Sequence, residues 1–233
     1  MCVTNVNQYQ TKERGEGMET GELLSHVDHT RLKPCSTWEE IACLCEEAAE
    51  CHTASVCIPP SYVERVKREY GDDLKICTVI GFPLGYHTQA AKVYEVEDAV
   101  KNGADEIDMV VNLGDVKNGD FDRVTEEIAA VKKAAGKRTV KVIVETCYLT
   151  EQEKVRLCRC VEAGGADFIK TSTGFGTGGA VIEDIRLFRE CLGPSVRIKA
   201  SGGIRTKEKI IEFIEAGCDR IGTSSAVEAL KNE

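Results

Sequence analysis

The stretch GGADFIKTSTGFGTGG, residues 164–179, contains one structural unit of this chain. Two glycines suited to ending a helix precede a short strand pattern, and a glycine-rich loop follows it. The start of this unit recurs, because NGADEI at 102–107 and AGCDRI at 216–221 resemble GGADFI at 164–169. The aspartates of the three segments lie 62 and 52 positions apart, which fits two strand–helix units each. We interpret these aspartates as turn residues between a helix and a strand.

Helical and strand patterns alternate along the rest of the chain. The sequence predicts a helix over 121–135, for example, and strands over 107–111 and 140–145. If residues 26–29 form a strand, eight strands are present, and short apolar strands that alternate with helices favour parallel units. Eight units in about 210 residues predict a single (β/α)8 TIM barrel of the α/β class. A doubly wound open sheet is the alternative.

Composition and charge narrow the classes of partner. The chain has 233 residues and a formal net charge of −9, and it lacks the basic run that nucleic acid or an anionic membrane would need. No stretch approaches the roughly 18 apolar residues of a membrane span. We interpret residues 1–18 as a polar, flexible arm without a secretory signal, and 19–233 as the barrel domain. A cytoplasmic enzyme is therefore expected, with a homo-oligomer as a candidate assembly.

Twelve cysteines raise the question of disulfides or a metal. The sequence has no C-x-x-C pair, and its two C-x-C pairs, at 43/45 and 158/160, fall in predicted helices, where positions two apart face different ways. A chain of this size with no secretion signal does not need covalent staples. We therefore expect reduced structural thiols, with metal binding or redox chemistry as the alternative.

Charged residues inside the predicted strands carry the functional signal. Strands of a barrel are covered on both faces, so a charge within one needs a reason. Asp108, Lys141, Glu145, Lys170 and Lys199 all occupy such positions. Each should point into the barrel, whose C-terminal face is where active sites form.

Lys170 and Lys199 belong to consecutive predicted strands. Neighbouring strands lie about 4.8 Å apart, so the two inward side chains can meet. A second ammonium and partial burial both lower the pKa of a lysine, and a free amine can attack a carbonyl to form a Schiff base. Asp108 is placed to move protons in such a site. A buried structural ion pair between Asp108 and one lysine is the competing interpretation, but it leaves the second lysine unpaired.

Three glycine-containing loops predict an anion site. They follow the Lys170 strand, the Lys199 strand and the last strand, at 174–179, 202–203 and 222–225. Backbone N–H groups in such loops bind anions, and barrels often hold phosphate after strands seven and eight. These amides and the lysines would supply locally the positive field that the acidic chain lacks.

Other candidates rest on weaker patterns. Asp28 and Thr30 are placed near the end of the first strand, where they could bind a substrate hydroxyl. His26 and His29 lack the spacing of a metal-ligand set, so no metal is expected. Cys57, near the C-terminal end of its predicted strand, is predicted to face the barrel mouth, where its thiol would be open to soft electrophiles.

Eight segments, spread over nearly all of residues 20–230, together resemble the deoxyribose-phosphate aldolase family. The matching segments are VDHT at 27–30, VCIP at 56–59, TVIGFP at 78–83, GADEIDMV at 103–110, KVIVE at 141–145, DFIKTSTG at 167–174, KASGGIR at 199–205 and GTSS at 222–225.

The resemblance implies a class I aldolase without a cofactor. It would interconvert 2-deoxy-D-ribose 5-phosphate with D-glyceraldehyde 3-phosphate and acetaldehyde. Lys170 would form the Schiff base, Lys199 would perturb it, and Asp108 would transfer protons. Phosphosugar and aldehyde contacts are expected from Asp28, Thr30, Cys57, Lys141, Thr173, Gly174, Gly202, Gly203, Ser224 and Ser225.

Some family members carry a lysine where this chain has Phe175, which bears on phosphate affinity and not on the chemistry. Two other functions are weighed against the aldolase. A phosphosugar isomerase gives no role to two adjacent lysines. A sugar-phosphate-binding regulator on an inactive barrel predicts the loss of Lys170 or Asp108, and both are present.

Overall fold

Eight parallel strands close into a barrel in the computed structural model, which describes residues 18–231. Each strand pairs with its neighbour in sequence, and β8 pairs with β1. The strands are β1 Val27–Thr30, β2 Ser55–Ile58, β3 Ile76–Ile80, β4 Glu106–Val110, β5 Thr139–Ile143, β6 Phe168–Lys170, β7 Arg197–Ser201 and β8 Arg220–Thr223. The predicted (β/α)8 barrel is confirmed, and the open-sheet alternative is excluded by the β1–β8 pairing.

Helices cover the outside of the barrel. They are α1 Thr20–Ser25, α2 Trp38–Cys51, α3 Val63–Tyr70, α4 Gln89–Lys101, α5 Leu113–Asn118, α6 Phe121–Ala135, α7 Glu151–Ala163, α8 Ile182–Cys191, α9 Lys207–Glu215 and α10 Ala226–Lys231. The prediction for 121–135 matches α6, whereas α1 and α5 were not predicted because six residues are too few to show helical periodicity. None of the helices within 18–231 is long and apolar enough to span a membrane.

The arm predicted for residues 1–18 lies almost entirely outside the described residues, as does Cys2. The division into an arm and a barrel domain therefore stays a prediction. The remaining eleven cysteines are free thiols.

The three repeated aspartates cap strands at the N-terminal end of the barrel. Asp105 accepts a hydrogen bond from the amide of Ile76 at 3.0 Å. Asp167 and Asp219 do the same for the amides of Val140 and Ile198, at 2.7 and 2.8 Å. Each aspartate precedes an even-numbered strand and binds the odd-numbered strand before it, so the turn interpretation is confirmed.

Side chains alternate along each strand, so one set faces outward to the helices and the other faces inward to the centre of the barrel. Outward residues such as Ile107, Val142 and Ile169 join the helices in one continuous apolar core. Inward residues of the same strands include Asp108 and Lys141, both fully buried. The apolar shell stabilises the barrel, and its centre is left to charged side chains.

A buried charge pair lies outside the barrel, between α4, α6 and the end of β4. Lys92 Nζ donates to Glu127 Oε1 and to the carbonyl of Val110, both at 2.8 Å. Burial raises the pKa of Glu127 and lowers that of Lys92. Their ion pair shifts both pKa values in the opposite direction, but by less. The pair therefore holds the C-terminal end of β4, two residues beyond Asp108, at a desolvation cost.

Lys92→Met should destabilise the fold by about 3–5 kcal/mol, because it leaves the Glu127 carboxylate buried without its cation. Chemical denaturation measures the loss, with Lys101→Met on the exposed face of α4 as the control. The double variant Lys92→Met/Glu127→Met should recover much of it, since both charges are then gone. Equal stability of Lys92→Met and the control would contradict this account.

Candidate active site

Lys170 and Lys199 meet inside the barrel on one carboxylate oxygen. They are register partners on β6 and β7. Each donates its Nζ to Oδ2 of Asp108 at 2.7 Å, so the two nitrogens lie at most 5.4 Å, twice 2.7 Å, apart. The predicted meeting of the two lysines is confirmed. The structure also contains the buried ion pair of the alternative interpretation, and it leaves neither lysine unpaired.

Asp108 is surrounded by donors. Besides the two lysines, Lys141 Nζ lies 2.8 Å from Oδ1 and Cys77 Sγ lies 3.1 Å from it. Burial opposes ionisation, but the three ammonium groups outweigh it and hold the pKa of Asp108 well below its usual range. Asp108 is therefore held as a carboxylate that accepts hydrogen bonds.

Lys199 is held as a permanent cation. Its Nζ also pairs with Asp28, whose Oδ1 accepts from Ser55 at 2.7 Å. Burial alone would lower the pKa of Lys199, but the carboxylates of Asp108 and Asp28 raise it well above its ordinary value. A cation fixed beside Lys170 is what the proposed perturbing role needs. Gly222 on β8 leaves room for it, because a Cβ there would lie 3.0 Å from Lys199 Cε.

Seven side chains form what we call the ionic cluster. Four are cations and three are carboxylates, so the fully ionised cluster carries one excess positive charge. Its members are Asp28, Glu106, Asp108, Lys141, Lys170, Lys199 and Arg220.

A cavity of about 430 Å³, the mouth cavity, opens at the C-terminal end of the barrel. Lys170 is a lining residue and belongs to the ionic cluster as well. The other predicted residues that line it are Thr30, Thr173, Gly174, Gly202, Gly203, Ser224 and Ser225. The loops after β6, β7 and β8 thus converge on one rim, as their glycines predicted.

Three predicted contact residues lie beneath this cavity and do not line it. Asp28 and Lys141 are fully buried in the ionic cluster. Cys57 is fully buried too and packs with Cys77 and Val79 inside the barrel. Cys57 does not line the mouth cavity, whereas Leu32, which packs against its cluster, does, and the expectation that Cys57 faces the mouth stays a prediction. Direct substrate contact by Asp28 or Lys141 is not part of this geometry.

The cysteine and histidine alternatives can be assessed from their neighbours. Atoms of Cys57, Cys77 and Asp108 lie within 4.8 Å of one another, a spacing that suits a metal. However, Lys141 Nζ lies 3.3 Å from Cys77 Sγ and repels a cation there. His29 pairs with Glu47 at 2.7 Å.

Sequence reasoning did not predict that three further cations line the mouth cavity. They are Arg31, Lys33 and Arg205. Arg205 lies two residues after the glycine pair that follows β7, a signal that was available. Arg31 and Lys33 come from the loop after β1, which glycine patterns do not mark.

Glu145 does not belong to β5, contrary to the strand predicted over 140–145. Its φ of 54° turns the chain after Ile143, and its side chain is 2% exposed. The carboxylate accepts from the amide of Thr173 at 3.1 Å and from its hydroxyl, which in turn accepts from the amide of Phe175 at 3.0 Å. Burial raises the pKa of Glu145, against those hydrogen bonds. Glu145 anchors the loop that carries Thr173, Gly174 and Phe175.

A model of the DeoC/LacD family aldolases matches residues 20–225 of the chain. The chain belongs to this family. It is 56% identical over 216 residues to the deoxyribose-phosphate aldolase of Clostridium botulinum (strain Alaska E43 / Type E3), covering 93% of this chain and 98% of that one.

Solved structures agree with this membership. An aldolase called QR15 superposes with a TM-score of 0.87 at 39% identity, over 90% of this chain and 95% of its own. A deoxyribose phosphate aldolase of Aeropyrum pernix, described as having a unique tetrameric structure, gives 0.84 at 31% identity, over 91% of each chain. The similarity of this aldolase to them therefore extends over nearly the whole length of each.

Glu145→Ala should loosen the rim of this aldolase. The loss of hydrogen bonds to a charged acceptor, worth about 1.5–3 kcal/mol each, should speed hydrogen exchange at the Thr173 and Phe175 amides about tenfold or more. Glu145→Gln keeps an acceptor oxygen and should show a smaller effect. Glu190→Ala, an exposed carboxylate on α8, is the control. Unchanged exchange in Glu145→Ala would show that the anchor does not order the loop.

Proposed function

We propose that the protein is a class I aldolase that reversibly cleaves 2-deoxy-D-ribose 5-phosphate into D-glyceraldehyde 3-phosphate and acetaldehyde. The observation that carries this proposal is the arrangement of Lys170 and Lys199 on one oxygen of Asp108, beneath a cavity rimmed by amides and cations. Family membership and the names of the relatives support the same reaction.

Lys170 is the residue we assign as the nucleophile. It is the lysine of the ionic cluster that also lines the mouth cavity. Its neutral amine attacks C1 of the open-chain sugar, and the resulting carbinolamine takes up one proton and loses water to leave a protonated imine. The protonated imine keeps one N–H, which can still donate a hydrogen bond to Oδ2 of Asp108.

Cleavage then breaks the bond between C2 and C3. The C3 hydroxyl loses its proton, its oxygen becomes the carbonyl of glyceraldehyde 3-phosphate, and the bonding electrons pass through C2 to the imine nitrogen as an enamine. Protonation at C2 and hydrolysis release acetaldehyde and restore the amine. We assign Asp108 to these proton transfers, since it is a carboxylate in contact with Lys170 Nζ, and Lys199 to holding positive charge beside the imine.

The phosphate group is assigned to the rim formed by the loops after β6, β7 and β8. Backbone amides at Gly202 and Gly203, with the hydroxyls of Ser224 and Ser225, present donors to an anion. Arg205 adds a cation on the same wall. This local field explains how a chain of net charge −9 could bind a phosphosugar.

The substrates are small molecules, and neither nucleic acid nor a membrane is proposed as a partner. We place the enzyme in the cytoplasm and infer that it is a homo-oligomer. Leu84, Tyr86 and Tyr94 are 53%, 66% and 70% exposed and lie on the β3–α4 segment, where a second copy could cover them. Light scattering after gel filtration tests the assembly, and a monomer at micromolar concentration would contradict it.

Borohydride reduction with acetaldehyde should place a covalent adduct on Lys170 in the unmutated protein, because the imine is reduced where it forms. Peptide mass mapping locates the adduct. Lys170→Met should lose both the adduct and the activity. An adduct on Lys199 would reverse the roles given to the two lysines.

Ser224→Asp should reduce kcat/KM for 2-deoxyribose 5-phosphate far more than for 2-deoxyribose, since it places a negative charge at the rim. The neutral variant Ser224→Asn separates charge from size and should lose much less. Initial rates on the two sugars measure the effect. Equal losses on both would count against the phosphate assignment.

A further inference from the structure

Six of the seven members of the ionic cluster form a closed ring in which the sign of the charge alternates. We call it the charge ring. Its order is Glu106, Lys141, Asp108, Lys199, Asp28, Arg220 and back to Glu106. Each member contacts an opposite charge on both sides, and three cations balance three carboxylates when all are ionised.

Lys170 is the member that lies outside the charge ring. Among the residues that the structure describes, it forms one ion pair, with Asp108 at 2.7 Å. Lys199 pairs with two carboxylates and Lys141 with three. Loss of a proton from Lys170 therefore leaves every contact around the ring in place, whereas loss from either other lysine breaks two of them.

Glu106 and Arg220 close the ring on the side away from the mouth cavity. They are the first residues of β4 and β8, at the N-terminal end of the barrel, and neither lines that cavity. Glu106 Oε2 accepts from Arg220 Nη1 at 3.3 Å and lies 2.5 Å from Lys141 Nζ. The fully buried ring of Phe168 lies 5.7 Å from the Arg220 guanidinium. These charges thus lie in the interior, where water screens them poorly.

We propose that Glu106 and Arg220 are positioning residues for the aldolase reaction, and that they set the charge balance which frees the Lys170 amine to attack. They act through the ring and do not touch the substrate. The inference rests on the proposed aldolase function, in which Lys170 is the nucleophile. It gives a catalytic consequence to the end of the barrel that ordinarily serves stability.

The direction of the effect follows from the sign of each charge. Without the Arg220 cation, the ring has three carboxylates against two cations, so it holds the Lys170 proton more tightly. Without the Glu106 carboxylate, three cations face two carboxylates, so the proton leaves more easily. A charge about 10 Å away, at an effective dielectric constant of about 20, shifts a lysine pKa by about one unit. Removing both charges should cancel the two shifts.

The other ionisable groups around these residues stay unchanged in the test. Those near Lys170 are Asp108 from β4, Lys199 from β7, Glu145 from the segment after β5 and Cys57 from β2. Those near Glu106 and Arg220 are Asp28, Lys141 and Cys77.

The test measures kcat/KM for the cleavage of 2-deoxyribose from about pH 5 to about pH 10, because this sugar has no phosphate to titrate and the profile then reports the free enzyme. Arg220→Met should move the rising limb of the profile to higher pH by about one unit, and Glu106→Gln should move it to lower pH by about as much. The double variant should return it close to the unmutated profile. Arg220→Lys keeps the charge and should keep the profile.

Arg197→Met is the matched control. Arg197 stacks on the same Phe168 ring, at 4.1 Å, but it is exposed and lies outside the charge ring, so its loss should leave the profile in place. A merely structural role would lower the activity of both ring variants without opposite shifts.

Shifts of both ring variants in the same direction, or no shift in either, would overturn the proposal. If Arg220→Met does not fold, the shift of Glu106→Gln to lower pH decides the matter, and its absence counts against the proposal. If the unmutated protein forms no borohydride adduct with acetaldehyde, the proposed function itself fails. An adduct on Lys170 with unmoved profiles would leave the function standing and refute only the role of the ring.

Discussion

The carboxylate of Asp108 organises the centre of this barrel. Three ammonium groups reach it from β5, β6 and β7, at 2.7–2.8 Å. Without that shared anion, three buried lysines would repel one another in a medium that screens charge poorly. Without the lysines, Asp108 would be protonated by burial. Asp108 helps to keep Lys141 and Lys199 charged, and the lysines keep Asp108 ionised next to the side chain that opens to the mouth cavity.

Such a cluster can exist because another part of the protein supplies the stability. The strands bury their outward aliphatic side chains against the helices, so the inward positions do not have to be apolar. The Lys92–Glu127 pair also fixes the rim of the barrel, because it ties the end of β4 to two helices. The position of Asp108 is thus fixed from both sides of the strand.

The mouth divides according to chemistry. On one side, glycine loops and Arg205 offer donors to an anion. On the other, Phe82, Phe175 and neighbouring prolines offer an apolar wall. Glu145, through its hydrogen bonds to Thr173, sets the loop that carries Phe175 at the boundary between the two sides.

The alternation of apolar strands with helices determined the barrel, and the lysines on consecutive strands determined its chemistry, because strand order and inward parity follow from local sequence periods. Depth along the barrel axis did not follow. Cys57, Lys141 and Lys170 all point inward, but strand stagger places only Lys170 of these three at the mouth cavity. The anchoring by Glu145 and the packing of the two phenylalanines likewise depended on contacts between distant segments: residue 145 with 173, and residue 82 with 175. The sequence by itself established which residues share the interior, and only the tertiary structure decided their levels, since barrel closure fixes the stagger of all eight strands at once.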